Sequence, residues 1–160
     1  NIRLTNQLGD QVDLDSLGDK VLVMDFFFTH CPSICPGMTR NMKRLQDMMH
    51  ARDPRRIIDT PLAHFVSITI DPERDTPEKL KDYLASFDPH LIGATGDAAS
   101  ITAIGKAYRV YYKKVPLDGG GYTMDHTAIV YLMDKDGRFV APFNMKRRPE
   151  EAAADLRRYL

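Results

Sequence analysis

The chain is predicted to fold as a single α/β domain, a central mixed sheet with helices on both faces, spanning residues 1–160. Three observations predict it. Residues 21–28, Val-Leu-Val-Met-Asp-Phe-Phe-Phe, form an almost continuous apolar run rich in β-formers, as a strand buried on both faces requires. Segments with helical spacing of apolar residues alternate with it and with later strand-like runs. Near the end, residues 127–133 and 138–143 flank Asp134-Lys135-Asp136-Gly137, the signature of an antiparallel hairpin.

In chain order, residues 2–14 alternate weakly around Gly9-Asp10 and read as a short N-terminal hairpin. After the buried strand and a cysteine-bearing loop, a helix is expected over about 37–52, with Met38, Met42, Leu45 and Met49 on one apolar face. Residues 65–70 form a second strand. Thr76 then caps a helix with Pro77 at its first position and Leu80, Tyr83, Leu84 and Phe87 on its buried face. A short strand near 91–92 and an Asp97-capped helix ending about Gly105 follow. Residues 108–114 and the Gly119-Gly120-Gly121 run read as an irregular excursion, and Pro149 opens a closing helix to Leu160. The order β-α-β-α-β-α-β-β-α favours a thioredoxin-like plan over a flavodoxin-like one, because the final hairpin is antiparallel.

Composition narrows the function classes. With 43% hydrophobic and 28% charged residues this is an ordinary globular chain. Lysine plus arginine and aspartate plus glutamate number 22 each, so no charge excess points to nucleic acid or to an anionic membrane. No apolar run reaches the roughly 18 residues of a membrane span. The chain opens at Asn1 with neither an initiator Met nor a signal-like stretch, as a mature or trimmed portion would, and any anchor upstream would not show in it.

The two cysteines, Cys31 and Cys35, stand at the strand-to-helix corner, each followed by a proline. Pro36 suits a first helical position, which would make Cys35 the N-cap, facing unsatisfied N–H groups and the positive end of the helix dipole. That setting favours thiolate, the form that attacks disulfides and binds soft metals. A buried, inert pair is the bland alternative, since free cysteine is commonly buried. The spacing has one residue more than the Cys-x-x-Cys of thioredoxin-type oxidoreductases, and no second cysteine pair exists to complete a zinc ribbon. Nor is there the upstream proline of a peroxiredoxin-type peroxidase. Thiol–disulfide exchange and a soft-metal site both remain open; two thiolates with one imidazole would suit copper.

The chain resembles the Sco family (SenC-like), copper proteins associated with cytochrome c oxidase assembly. Three segments carry the match: Phe28-Thr29-His30-Cys31-Pro32-Ser33-Ile34-Cys35-Pro36, Ile70-Asp71-Pro72-Glu73-Arg74-Asp75-Thr76-Pro77 and Asp125-His126-Thr127-Ala128-Ile129-Val130-Tyr131-Leu132. Tyr108-Arg109-Val110-Tyr111-Tyr112 is a weaker fourth. The resemblance implies one copper per chain, as Cu(I) and Cu(II), held by Cys31, Cys35 and His126. It implies a chaperone that delivers copper to the binuclear copper site of the oxidase or reduces that site's cysteines. Thiol–disulfide oxidoreduction through Cys31 and Cys35 alone is the alternative. Implied partners are the oxidase's copper-bearing subunit or another copper chaperone, met by a monomer. The implied place is the periplasmic side of the bacterial cytoplasmic membrane, or the mitochondrial intermembrane space, through an anchor outside this chain. Where the family often has acids in and just after the cysteine loop, this chain has Ser33, Gly37 and Met38.

Topology agrees with that ligand set. Strands 21–28 and 65–70, joined by a helix, should run parallel and release the cysteine loop and Asp71 at one sheet edge, where α/β proteins bind ligands. Strand 127–133 should begin at that edge, with His126 just before it, where thioredoxins carry a cis-proline. His30, His50, His64 and His90 lack a partner pattern and read as structural or solvated. Met124 is the methionine whose thioether could join the copper, although Met residues at such spacings usually fill cores. Asp71 is expected as an outer group that orients His126 or approaches the metal.

Overall fold

The computed structural model describes residues 2–17, 20–30, 34–50, 63–88 and 91–160; for residues 16, 34, 35 and 50 it describes the backbone. The buried run becomes β3 (Val21–Phe27), every residue of which is buried. It pairs in parallel with β4 (Ala63–Thr69), which pairs in parallel with β5 (Ile92–Thr95). On its other side β3 meets β8 (Val130–Met133) antiparallel, and β8 meets β9 (Phe139–Pro142). The N-terminal hairpin, β1 (Arg3–Asn6) and β2 (Gln11–Asp13), extends the same sheet through β1 and β5. The full order is β2-β1-β5-β4-β3-β8-β9.

Because strand side chains alternate between faces, β3 feeds two cores. Val21 and Val23 join Met42, Leu45 and Met49 of α1 (Ile34–His50) and Ala152, Ala153 and Leu156 of α4 (Pro149–Arg157). Met24, Phe26 and Phe28 join Ile101 and Ile104 of α3 (Ala98–Ala107), with Met124 and Tyr131. Helices therefore cover both faces, and the sandwich is thioredoxin-like, as the element order predicted. The helix α2 (Pro77–Ala85) packs on β5 at Gly93, where an added Cβ would lie 2.8 Å from Leu84 Cδ1. Thr76 and Asp97 cap α2 and α3, accepting from Lys79 N at 3.3 Å and Ser100 N at 2.7 Å.

Three expectations are corrected. The first helix opens at Ile34, so Cys35 lies inside its first turn rather than at the N-cap; Pro36 is tolerated there because the first-turn N–H groups have no intrahelical acceptor. The excursion after α3 is a separate two-stranded ribbon, β6 (Tyr112–Pro116) with β7 (Tyr122–His126). Gly119, Gly120 and Gly121, all with φ between 74° and 104°, make its turn, a conformation that glycine adopts without a Cβ penalty. His126 consequently ends β7, and residues 127–129 lead from it into β8, which starts three residues later than expected.

Candidate metal centre

Two chain segments arrive at one edge of the sheet. β3 ends there and leads through Phe28, Thr29 and His30 into α1. The register Asp25↔Val130 and Leu22↔Met133 makes β8 begin at that same edge, so the residues before Val130 lie near the end of β3. The topological placement of His126 thus holds, although the ribbon rather than the sheet delivers it.

The cysteine side is described up to His30 and again from α1. Cys31 lies outside the described residues, and so does the side chain of Cys35. The Cys35 backbone stands in the first turn of α1, where unsatisfied N–H groups and the dipole favour an anion. Thr29, two residues before Cys31, is held through both of its donors: its N–H bonds Asp75 Oδ2 at 3.0 Å and its hydroxyl bonds Asp75 Oδ1 at 2.5 Å. Thr69 Oγ1 donates to Asp75 Oδ2 at 2.6 Å, so this fully buried carboxylate has three donors.

On the histidine side, the His126 ring stands edge-on to Phe28, with centroids 5.6 Å apart and planes at 86°. Its Nδ1 lies 3.1 Å from the Thr127 carbonyl, which can only accept, so Nδ1 is the donor and Nε2 is the nitrogen a metal would use. Phe28 itself is buried and three residues from Cys31, a separation of at most about 11 Å along the chain. An imidazole at this sheet edge, together with the thiols of Cys31 and Cys35, whose side chains lie outside the described residues, would make a donor set of the kind copper takes.

Asp71 is 1% exposed. Its carboxylate accepts from Arg74 Nε at 2.5 Å and from Tyr122 OH at 2.6 Å, and Tyr122 stands four residues before His126 on β7. Burial, followed by the bond to the Asp71 carboxylate, pushes the Tyr122 phenol up to about 12, which keeps it a donor at any physiological pH. Met124 sits in the core beside Ile101 and Ile104, the ordinary place for a gap-filling thioether. Of the other histidines, His30 is exposed with Nδ1 3.3 Å from Thr29 Oγ1, and His64 lies on β4; His90 and the His50 side chain fall outside the described residues. Among the described residues no three His, Cys, Asp or Glu side chains converge to hold a metal ion, and no helix is long and apolar enough to cross a membrane. Asp75, Arg74 and Tyr122 escaped the sequence reading. The acids of the 71–75 segment were a visible signal for the first; nothing local distinguishes Tyr122 from the other tyrosines.

A thioredoxin-like sandwich with cysteines at the β3–α1 corner and a histidine brought to the same edge defines the class of protein. Residues 2–160 match the SCO1/SenC family model, and the chain belongs to that family. It is 38% identical over 155 residues to human "Protein SCO1 homolog, mitochondrial", covering 96% of this chain and 50% of that protein. The chain spans about half the length of the mammalian SCO1 relatives it matches. Among solved structures it superimposes on Bradyrhizobium japonicum ScoI with copper bound at a TM-score of 0.90 and 50% identity, covering 99% of this chain and 97% of that one. BsSco, described as having a disulfide switch and as a member of the Sco family of cytochrome c oxidase assembly proteins, gives 0.72 and 27%, with 98% and 90% covered.

Proposed function

We propose that this chain carries one copper ion as cargo, held by Cys31, Cys35 and His126, and passes it to the binuclear copper site of cytochrome c oxidase. The observation that carries the reading is His126 against Phe28, with its Nδ1 proton engaged by the Thr127 carbonyl. The copper-bound ScoI at 50% identity supports it. Thiolate sulfur suits Cu(I), and an imidazole nitrogen extends the set to Cu(II), so both states are carried. The receiving partner is the oxidase's copper-bearing subunit, or a second copper chaperone, met by a monomer on the periplasmic or intermembrane-space side of an anchoring membrane. A second reading, reduction of a partner's cysteines by the Cys31–Cys35 pair, draws on the place of Cys35 in the first turn of α1 and on the disulfide switch described for BsSco.

Anaerobic titration of the reduced protein with Cu(I), then Cu(II), tests the first reading. One copper per chain is expected, with a thiolate-to-copper charge-transfer band in the Cu(II) form. His126→Ala should lose most of the affinity and retain disulfide formation. Binding unchanged in the Cys31→Ser, Cys35→Ser double variant would sink it.

A further inference from the structure

We infer that the 71–76 loop is a bracket that sets the spacing of the two arms of the site, with Asp75 positioning the cysteine arm and Arg74 with Tyr122 the histidine arm. The inference rests on the reading that Cys31, Cys35 and His126 form one site.

The cysteine arm leaves regular structure early. The ladder of β3 with β4 ends at Phe27↔Thr69, and beyond it Ile70 N–H bonds the Phe27 carbonyl at 2.9 Å. Past that point the described contacts that direct the chain come from Asp75, which takes both donors of Thr29. Burying a carboxylate costs least when its oxygens are satisfied, and two of the three donors to Asp75 come from the arm it holds. The loop that carries it is itself tied down. Asp75 N–H and Arg74 N–H bond the Asp71 carbonyl at 2.9 and 3.3 Å, and Asp71 N–H bonds Thr69 Oγ1 at 3.0 Å.

The other side of the same loop grips the ribbon. Tyr122 OH donates to Asp71, Arg74 Nη1 donates to the Tyr122 carbonyl at 2.8 Å, and the guanidinium lies 3.8 Å over the Tyr122 ring. Arg74 Nη2 is buried without a hydrogen-bond partner among the described residues, a cost carried to keep the guanidinium there. Tyr122, Met124 and His126 share one face of β7, so fixing Tyr122 fixes the strand that presents His126 about 13 Å further on. The ribbon lies outside the seven-stranded sheet; Met124 and Tyr112 seat it on the core beside α3, and this grip adds its polar tie to the 71–76 loop.

The test uses the full chain and two readouts. One is the dithiol–disulfide equilibrium of Cys31 and Cys35 in a glutathione buffer, read by thiol alkylation on the copper-free protein. The other is Cu(I) affinity by competition with a chromophoric chelator. Asp75→Ala should shift the first equilibrium toward dithiol by about tenfold, because a loosened arm lowers the effective concentration of one thiol at the other, and should weaken copper binding as well. Asp75→Asn should restore both, since its oxygen can accept from Thr29 N–H and Thr69 Oγ1 while its amide donates to Thr29 Oγ1. Tyr122→Phe should leave the thiol equilibrium at the wild-type value and weaken copper by about tenfold. If Asp75→Ala does not fold, Thr29→Val reads the same arm. The inference is overturned if Thr29→Val and Tyr122→Phe both stay within about twofold of wild type in both readouts, less than the loss of one charge-assisted hydrogen bond. It is overturned equally if Tyr122→Phe moves the thiol equilibrium, which would signal general loosening. His126→Ala separates the two levels. If it binds copper like wild type, the reading of the site fails and the inference with it; if it loses copper while the bracket variants do not respond, the inference alone fails.

Discussion

The two segments that would carry the proposed site are built in opposite ways. The cysteine arm grows out of β3, buried along its whole length and paired on both sides. The histidine arm ends a two-stranded ribbon whose first strand is mostly exposed and whose turn is three glycines. A strand embedded in two cores is held by burial; a ribbon that touches one core through Met124, Tyr112 and Tyr122 relies more on particular polar contacts. Rigidity on one side is generic, and on the other it depends also on the contacts among Asp71, Arg74 and Tyr122.

The largest effect should come from the generic side. Phe28→Ala removes a buried ring from the core cluster and the wall behind His126, and should cost about 3–5 kcal/mol in urea unfolding. A loss below about 1 kcal/mol would mean that burial does not hold this arm.

Asp25 sharpens the contrast from the same strand. It is fully buried on β3, its sheet neighbour Ser67 turns its hydroxyl to Met42 Sδ at 3.6 Å, and among the described residues neither carboxylate oxygen has a well-formed hydrogen bond. Burial raises it from 3.8 to about 6. The folded state therefore holds this proton more tightly than the unfolded chain does. Its contribution to stability is fully present below about pH 4 and is lost as pH rises to about 6, a loss on the order of 3 kcal/mol. Asp25→Asn should stabilise the protein by about 1–3 kcal/mol at pH 7–8 and by progressively less toward pH 4. Denaturation curves at both ends of that range check it, and a gain independent of pH would point to repacking instead.

The smallest effect should fall on the exposed side of the ribbon. Lys114 and Glu73 pair at 2.7 Å, but their side chains are 50% and 64% exposed. Glu73→Gln should change stability by less than about 1 kcal/mol and less still in high salt. A larger loss would show that the ribbon is held from its surface as well as from beneath.

What could be read along the chain divides the same way. β3, the caps Thr76 and Asp97, Pro77 and Pro149 at helix starts and the 134–137 hairpin turn were legible, because each depends on neighbours in sequence: an apolar run, a side-chain oxygen three residues from an N–H, a ring that presets φ. The ribbon was missed because one face of it is solvated, so Tyr112–Pro116 carries lysines where a half-buried strand would show apolar alternation. The late start of β8 has the same origin, since residues 127–129 belong to neither ribbon nor sheet. Asp71 was legible as a residue of the site's surroundings but not in its contacts. Its proximity to Tyr122, 51 residues away, exists only once the ribbon folds over the loop.

By itself the sequence determined the α/β sandwich and the strand-to-helix corner that carries Cys31 and Cys35, and its family resemblance named His126 as the expected distant partner. These follow from local periodicity, proline and cap chemistry, and three motifs in order. Only the tertiary structure decided that His126 rides on a separate ribbon, that its ring packs on Phe28 with Nδ1 turned to the Thr127 carbonyl, and that one loop ties Thr29 to Tyr122. Apart from the Thr127 bond, those contacts join residues 46 to 98 positions apart. Their geometry is set by how two separately formed pieces dock, and no local pattern of residues encodes that.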